Sequence, residues 1–486
     1  MYPRPAKPEA YDLMHNGAIA LAQVERNGMR VDTKYLTGAI SSLHEEIMEE
    51  KKALANHDCY KLWRKHYGEK FKFDAPEQLA NILFKVMKLP GAEYTEKSIL
   101  KSLEEGTEVR LRATEGALSN SGHPFAKDYI KTKKKIKARR TLIGIQREVV
   151  HDRIHCFFNL HTTKTYRSSS SDFNFQNLEV RNKKMSELIR STFISTSKDY
   201  HIIENDFSGI EVGIAACYHK DKTMLKYIKD PSKDMHRDMA IQCYRMEDLK
   251  IPKDWWSVKG SRGGHDFRYT AKNQYVFPQF YGDYYVNNAR AMWESMEKLD
   301  MRLWDGTPLR EHLRQQGIKE RGECNPDIYD PTPGSFEEHM LNVQNHFWQV
   351  RFPRYGKWKR AWFNDYEECG RFETLTGFMI EGIYNRNEVI NYPVQGSAFH
   401  CLLWSLIKIQ NEMNRKKMKS KIVGQIHDSI VGDVHRKEKN QYLDICQRVM
   451  TEDLLKEWDW IIVPLKIEAE VAPAGASWYL KEKVKL

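Results

Sequence analysis

No CxxC pair occurs among the eight cysteines (59, 156, 217, 243, 324, 369, 401 and 446), which argues against a zinc site or a disulfide framework and for a reducing compartment. No apolar run approaches the ~18 residues of a membrane span, and the mean hydropathy is −0.67. The opening stretch MYPRPAKPEAYDLMHNG lacks the apolar segment of a secretory leader. Neither an internal repeat nor a low-complexity tract is present, which excludes a solenoid. What remains is a chain of 486 residues, 29% charged and 41% hydrophobic. Such a composition is globular, and the length suits several lobes of roughly 100–200 residues each. Lys and Arg number 77 against 66 Asp and Glu, a formal balance of +11. That excess favours a polyanionic partner without requiring one. The 12 Trp and 24 Tyr would serve base stacking or an ordinary core.

Periodicity predicts an amphipathic helix over 9–28 with Leu13, Ile19, Leu21 and Val24 on its apolar face, then a charge-laced helix over 35–55. Asp74-Ala75-Pro76 starts a further helix whose apolar face is Leu79, Ile82, Leu83 and Val86. The run from Lys127 to Arg140 is the densest in positive charge. Past residue 153 the texture changes. RIHCFFNLHTTKTYRSSSS reads as a strand and a Ser-rich turn. DYHIIENDFSGIEVGIAACYHK reads as a short strand ending near Asp206, then a helix presenting Ile210, Ile214 and Cys217. Residues 219–390 read as mostly helical, with a loop-like stretch at GECNPDIYDPTPGS. KIVGQIHDSIVGDVH reads as two β-runs flanking His427, Asp428 and Ser429; a helix over 437–458 and a strand in VPLKIEAEVAPAGASW follow.

Four groups could carry chemistry. Asp206 and Asp428 each sit at the end of an apolar strand, where desolvating an unpaired carboxylate is costly. Brought together they would raise one another's pKa unless a cation neutralised them, and hard oxygen ligands favour Mg²⁺. Two such ions could activate a hydroxyl and stabilise a leaving pyrophosphate. Taken singly, each Asp reads as well as a turn cap. Arg268 and Lys272, spaced i, i+4, share one helix face, a geometry for gripping a triphosphate or simply a solvated basic face. The aromatics Tyr275, Phe277, Phe280 and Tyr281 after them are a packing stripe or a stacking platform. The Lys127–Arg140 run would contact a phosphate backbone, and the hydroxyl- and amide-rich YRSSSSDFNFQN could bind a sugar-phosphate chain and base edges.

In this order, the pieces resemble the polymerase module of the family A DNA polymerases, the DNA polymerase I family. DFSGIEV is similar to the family's first sequence block, RYTAKNQYVFPQFYG to its second and QIHDSI to its third. NYPVQGSA, TKTYRSSSSDFNFQN, ETLTGF, ERNGMRVD and EAEVAPAGASW also have family counterparts. The resemblance implies an α+β right hand with an antiparallel-sheet palm and mainly helical thumb and fingers. It divides the chain into a palm-associated segment (1–35), thumb (36–150), first palm part (151–218), fingers (219–388) and second palm part (389–486). It implies that Asp206 and Asp428 bind two Mg²⁺ ions, and that Arg268, Lys272 and His236 lie at the triphosphate. Phe277 would lie beside the sugar and base, with Val276 as rival. Tyr281 would line the template-side pocket and Glu211 would exclude a ribose 2′-hydroxyl. Arg167, Asn177, Gln395 and His427 would contact primer or template, and Lys135 and Lys137 would grip duplex DNA. The partners implied are primer-template DNA, dNTPs and a separate exonuclease or processivity subunit, in the cytoplasm of a bacterial or phage-infected cell. The motifs begin within the first thirty residues, which leads us to expect no proofreading domain ahead of them, as in bacteriophage-type enzymes.

The second block departs from the family by one extra residue: Phe277 is i+5 from Lys272, and Pro278 stands where the family has glycine. One added residue turns an ideal helix by ~100°, and Pro278 lacks an N–H. A π-bulge or kink is therefore expected around 274–278. Ser429 stands where many relatives have a second carboxylate, and Gly209 and Gly213 replace larger polar residues. Two rival readings stay open: a single-subunit RNA polymerase with the same two-aspartate palm, and a catalytically silent DNA-binding replisome protein.

Overall fold

The computed structural model describes residues 6–180, 182–322, 324–325 and 330–486. The loop-like stretch GECNPDIYDPTPGS therefore lies partly outside the described residues. At the centre is a five-stranded antiparallel sheet. Its strands are β1 (Tyr200–Phe207), β2 (Lys421–Ile426), β3 (Ser429–His435), β4 (Ile467–Val471) and β5 (Glu482–Val484), in the order β2-β3-β1-β4-β5. β1 is the central strand, and its Asp206 lies opposite Ser429 of β3 on one side and Glu468 of β4 on the other. Ile202, Ile203, Ile430, Val431 and Val434 are buried; consecutive residues point to opposite faces, so both faces of the sheet are covered here.

The N-terminal helix Pro8–Asn27 leads into Met29–Val31, which pairs with Arg153–Ile154 and Phe193–Ile194, tying the N-terminal segment to the sheet-bearing part. The helix Thr33–Ala55 packs beside the basic helix Pro124–Glu148. Beyond them a helical tip has its own core, separate from the main one, running from Leu54 to Tyr129 with Trp63 at its middle against Phe71, Phe125 and Tyr129. The long helix Arg386–Arg415 passes behind the sheet and begins with a capping box of Asn385 and Glu388. Its internal Pro393 cannot bond the carbonyl of Val389, and the indole N–H of Trp362 donates to that carbonyl at 3.1 Å instead. Among the described residues no helix is long and apolar enough to cross a membrane.

Two apolar faces differ from their periodicity. Ile19 is 59% exposed while Leu13, Leu21 and Val24 are buried: six residues from Leu13 and two from Leu21, it points to another side of the helix. Val86 is 38% exposed because the helix begun at Pro76 widens into a π-turn over Asn81–Val86, rotating its last side chain outward.

Candidate active site

The strand–turn–helix at Asp206 is shaped by its backbone. Gly209, at φ 64, adopts a left-handed conformation that admits glycine freely and starts the helix Ile210–His219. Ile210, Ile214 and Cys217 face the core, leaving Glu211 on the open side. On the neighbouring hairpin His427 takes a left-handed turn (φ 48), and the N–H of Phe207 donates to the carbonyl of Asp428 at 3.1 Å. This bond and the β1–β3 register bring the two predicted aspartates to one end of the sheet. The carboxylate of Asp206 reaches solvent. Even so, the surrounding protein excludes enough water, and Asp428 and Glu204 lie close enough, to push it up to about 7. Burial likewise raises Asp428, opposed by the positive charge of Arg167 and by His427.

Arg167, Glu211, Phe277, Tyr281, Gln395, His427 and Asp428 line one cavity of about 410 Å³, together with Asn391 and Tyr355. Its volume is within the range of small-ligand sites. Glu211 is the hub of its polar wall: Arg167 forms an ion pair with it, and the hydroxyl of Tyr281 donates to it at 2.6 Å. Asn391 of the long helix donates to the carbonyl of Tyr281 at 3.0 Å.

The segment carrying Arg268 and Lys272 is helical over Gly264–Thr270, opens into a π-turn over Ala271–Val276 and closes again over Phe277–Tyr281. The N–H of Phe277 bonds the carbonyl of Lys272, five residues back. The expected π-turn is present and absorbs the extra residue; its span 271–276 overlaps the expected 274–278 and begins three residues earlier. That position leaves Pro278 in the first turn of the resumed helix, where no N–H is needed. Phe277 therefore returns to the lysine face, with Lys272 Nζ 5.2 Å from its ring centroid, whereas its rival Val276 is fully buried. His236 stands edge-on to Phe277 at 5.7 Å. Burial, with Arg268 and Lys272 nearby, lowers the imidazole to about 4, so it is neutral at pH 7. Arg268 donates from Nε to Asp234 at 2.6 Å; that bond, with the Arg237 N–H, outweighs burial and holds the Asp234 carboxyl below its usual value.

The remaining predicted residues lie elsewhere. Asn177 and Lys137 line a second cleft of about 550 Å³ between the basic helix and Lys183–Arg190. Lys135 is committed within the protein, to Glu50 at 2.8 Å and to Glu46. Ser429 turns its hydroxyl to Glu204 (3.1 Å), which also accepts from Trp478 and pairs with Lys481. Sequence reading passed over this Glu204 group, and over Gln425, whose side chain ties Ser168 (2.7 Å) and Gln176 (2.6 Å) to the carbonyl of His427 (2.8 Å). Only the alternation of β1, which puts Glu204 on the face of Asp206, hinted at the first.

An antiparallel sheet ending in two carboxylates, with a helical segment carrying Arg268, Lys272, Phe277 and Tyr281 whose aromatics share a cavity with Asp428, defines the right-hand polymerase scaffold. Comparison with known sequences and structures agrees. The family model for DNA polymerase family A matches residues 39–255 and 373–479, and the chain belongs to that family. It is 26% identical over 469 residues to DNA polymerase I of Lactococcus lactis subsp. lactis, covering 95% of this chain and 45% of that protein. It is 28% identical over 472 residues to the thermostable DNA polymerase I of Thermus aquaticus, covering 94% and 46%. The chain thus spans less than half the length of these curated relatives. The polymerase domain of Pol1 from M. smegmatis, solved with DNA primer-template and dNTP, has the same fold at a TM-score of 0.70 and 19% identity, covering 96% of this chain and 70% of that one.

Proposed function

We propose that the chain is a template-directed DNA polymerase that joins a dNTP to a primer 3′-hydroxyl and releases pyrophosphate. The observation that carries this reading is the single cavity in which Arg167, Glu211, Phe277, Tyr281, Gln395 and His427 meet Asp428 beside Asp206, on a family A scaffold. Lys272 and Arg268 bind the triphosphate, and neutral His236 donates to it without adding charge. Phe277 packs against sugar and base. Glu211, fixed between Arg167 and the Tyr281 hydroxyl, narrows the space for a 2′-hydroxyl and so favours dNTPs over rNTPs. Arg167, Gln395 and His427 contact the primer terminus. Asn177 and Lys137 follow the duplex, in a thumb taken as 36–150, with fingers at 219–388 and palm at 151–218 and 389–486 beside segment 1–35. Such work on DNA fits a cytoplasmic location.

Two neighbouring carboxylates, both raised by burial and Asp206 raised further by Asp428, with the Ser429 hydroxyl turned to Glu204, form a donor set that suits a hard cation. Asp206 and Asp428 would hold two Mg²⁺, which when bound activate the primer hydroxyl and stabilise the leaving group. Among the described residues no group of three or more His, Cys, Asp or Glu could hold a metal, so phosphates and water would supply the other ligands.

Primer extension with dNTPs or rNTPs, alongside Asp206→Ala and Asp428→Ala, tests the reading. Wild type should extend with dNTPs preferred, and either variant should bind duplex but not extend it. Preference for rNTPs would favour an RNA polymerase; binding without extension by any form would favour a silent scaffold.

A further inference from the structure

Arg167 follows a residue whose backbone is out of place for its side chain. Tyr166 is left-handed (φ 56), a conformation that glycine takes freely and a bulky aromatic avoids. A strained backbone persists only where its surroundings hold it, and Tyr166 is held on every side. It is 4% exposed, its hydroxyl donates to the carbonyl of Met379 at 2.5 Å, and its ring lies 5.2 Å from that of Phe378. Phe378 in turn packs on buried His400 of the long helix at 4.4 Å. The N–H of Tyr166 closes a turn on the carbonyl of Thr163 (3.2 Å), and the hydroxyl of Thr163 donates to the carbonyl of Arg167. One residue earlier, the carbonyl of Thr165 lies so close to the long helix that a Cβ on Gly396, next to Gln395, would stand 2.6 Å from it.

We infer that Tyr166 is a positioning residue that bolts the turn carrying Arg167 to the hairpin Arg371–Glu373/Met379–Glu381 and the long helix, so that the guanidinium enters the cavity in the one orientation that meets both Glu211 and a primer terminus. This rests on the polymerase reading. Tyr166 touches no substrate. Its side chain replaces the mobility a glycine would give this turn with a fixed orientation of Arg167, and the same bolt keeps Arg167 in register with Gln395 across the minor-groove side of the terminus.

The test is a double-mutant cycle on the full chain with Tyr166→Gly, Tyr166→Phe and Arg167→Ala, reading the primer-template dissociation constant by fluorescence anisotropy and KM and kcat for dNTP by primer extension. Tyr166→Gly should weaken primer-template binding and kcat by about tenfold with little change in the dNTP KM, and Tyr166→Phe, which keeps the ring, by about two- to threefold. In the Arg167→Ala background either change should have almost no further effect. Additive losses, an effect confined to the dNTP KM, or Tyr166→Gly matching wild type would each overturn the proposal. If Tyr166→Gly does not fold, the Tyr166→Phe cycle decides in the same way. If wild type extends no primer, it is the polymerase reading that falls, and the cycle is decided on binding alone.

Discussion

The basic helix Pro124–Glu148 and the carboxylate end of the palm treat charge in opposite ways. The helix carries the densest cationic run of the chain, yet most of that charge is met at home. Lys131 and Lys135 pair with Glu50 (3.3 and 2.8 Å), Lys133 and Arg140 with Asp74 (3.3 and 2.6 Å), and Lys134 with Glu115. The palm end sets Asp206 beside Asp428 and Glu204, placed to repel. Solvent-facing pairs are worth about 0–1 kcal/mol each, so the helix is ordinary surface electrostatics. Like charges in partly desolvated positions work against folding, and a fold keeps them only where something from outside resolves the conflict. Charge left unmet points to function more strongly than charge that is merely abundant.

The contrast breaks hardest at Asp206. Asp206→Asn should lower primer extension by about 10³-fold or more, several kcal/mol of transition-state stabilisation at 1.36 kcal/mol per decade. The same change should stabilise the protein in chelator at neutral pH by on the order of 1 kcal/mol, discounted for solvent access. The sign follows from linkage. An acid raised from 3.8 to about 7 holds its proton in the folded state after the unfolded chain has lost it, so stability is full below about pH 4 and falls as pH rises through 7. Melting curves of the wild type in chelator should show that fall, Mg²⁺ should reverse it, and Asp206→Asn should show a smaller fall, the part left by Asp428, and a weaker reversal. A variant less stable than wild type in chelator would mean that the two carboxylates are not in conflict.

Why the aspartates could be read and much around them could not is a matter of range. Asp206, Arg268, Lys272 and Phe277 belong to short segments whose strand ends and helix spacing are written in consecutive residues. The extra residue before Phe277 and the π-turn that absorbs it were visible in the same way; where that turn begins was not, because that depends on Pro278 finding a first-turn position. The partners of Lys135 lie 89 and 85 residues away in Glu46 and Glu50, and Glu204 meets Ser429 across 225 residues, so no local pattern announces them. Trp362 answering the carbonyl freed by Pro393, and the left-handed Tyr166, likewise exist only once the chain has packed. The antiparallel sheet, the mainly helical remainder of the chain and the strand-end aspartates followed from motifs; the order of the strands and the supports beneath them did not.

Two lysines sharpen the comparison from the other side. Lys272 faces Phe277 and lies near His236 and Glu468, toward the site. Lys272→Ala should cut kcat/KM for dNTP by about 10–100-fold while leaving duplex affinity within about twofold. An equal loss in both would remove it from the triphosphate. Lys137, exposed beside Asn177, has no ion-pair partner among the described residues. Lys137→Ala should weaken duplex binding a few-fold and flatten the log–log salt slope by about 1, the signature of one released phosphate contact.

The smallest effect should come from Lys135, in the middle of the densest run. If its charge is spent on Glu46 and Glu50, Lys135→Gln removes no phosphate contact. Duplex affinity and its salt slope should then match wild type within about 20%, whereas Lys137→Ala, two residues on, changes both. The loss should show in stability instead. Glu46 and Glu50 sit close together on the helix Thr33–Ala55, and without the ammonium between them their repulsion loosens the packing of the two long helices by up to about 1 kcal/mol. Lys131 still reaches Glu50 at 3.3 Å and limits the damage. Thermal melting of Lys135→Gln at low and high salt separates the outcomes: the deficit should shrink as salt screens the two glutamates. A flattened binding slope with unchanged melting would mean instead that DNA draws Lys135 away from its acids, and that the thumb's internal pairing is a resting state which the substrate undoes.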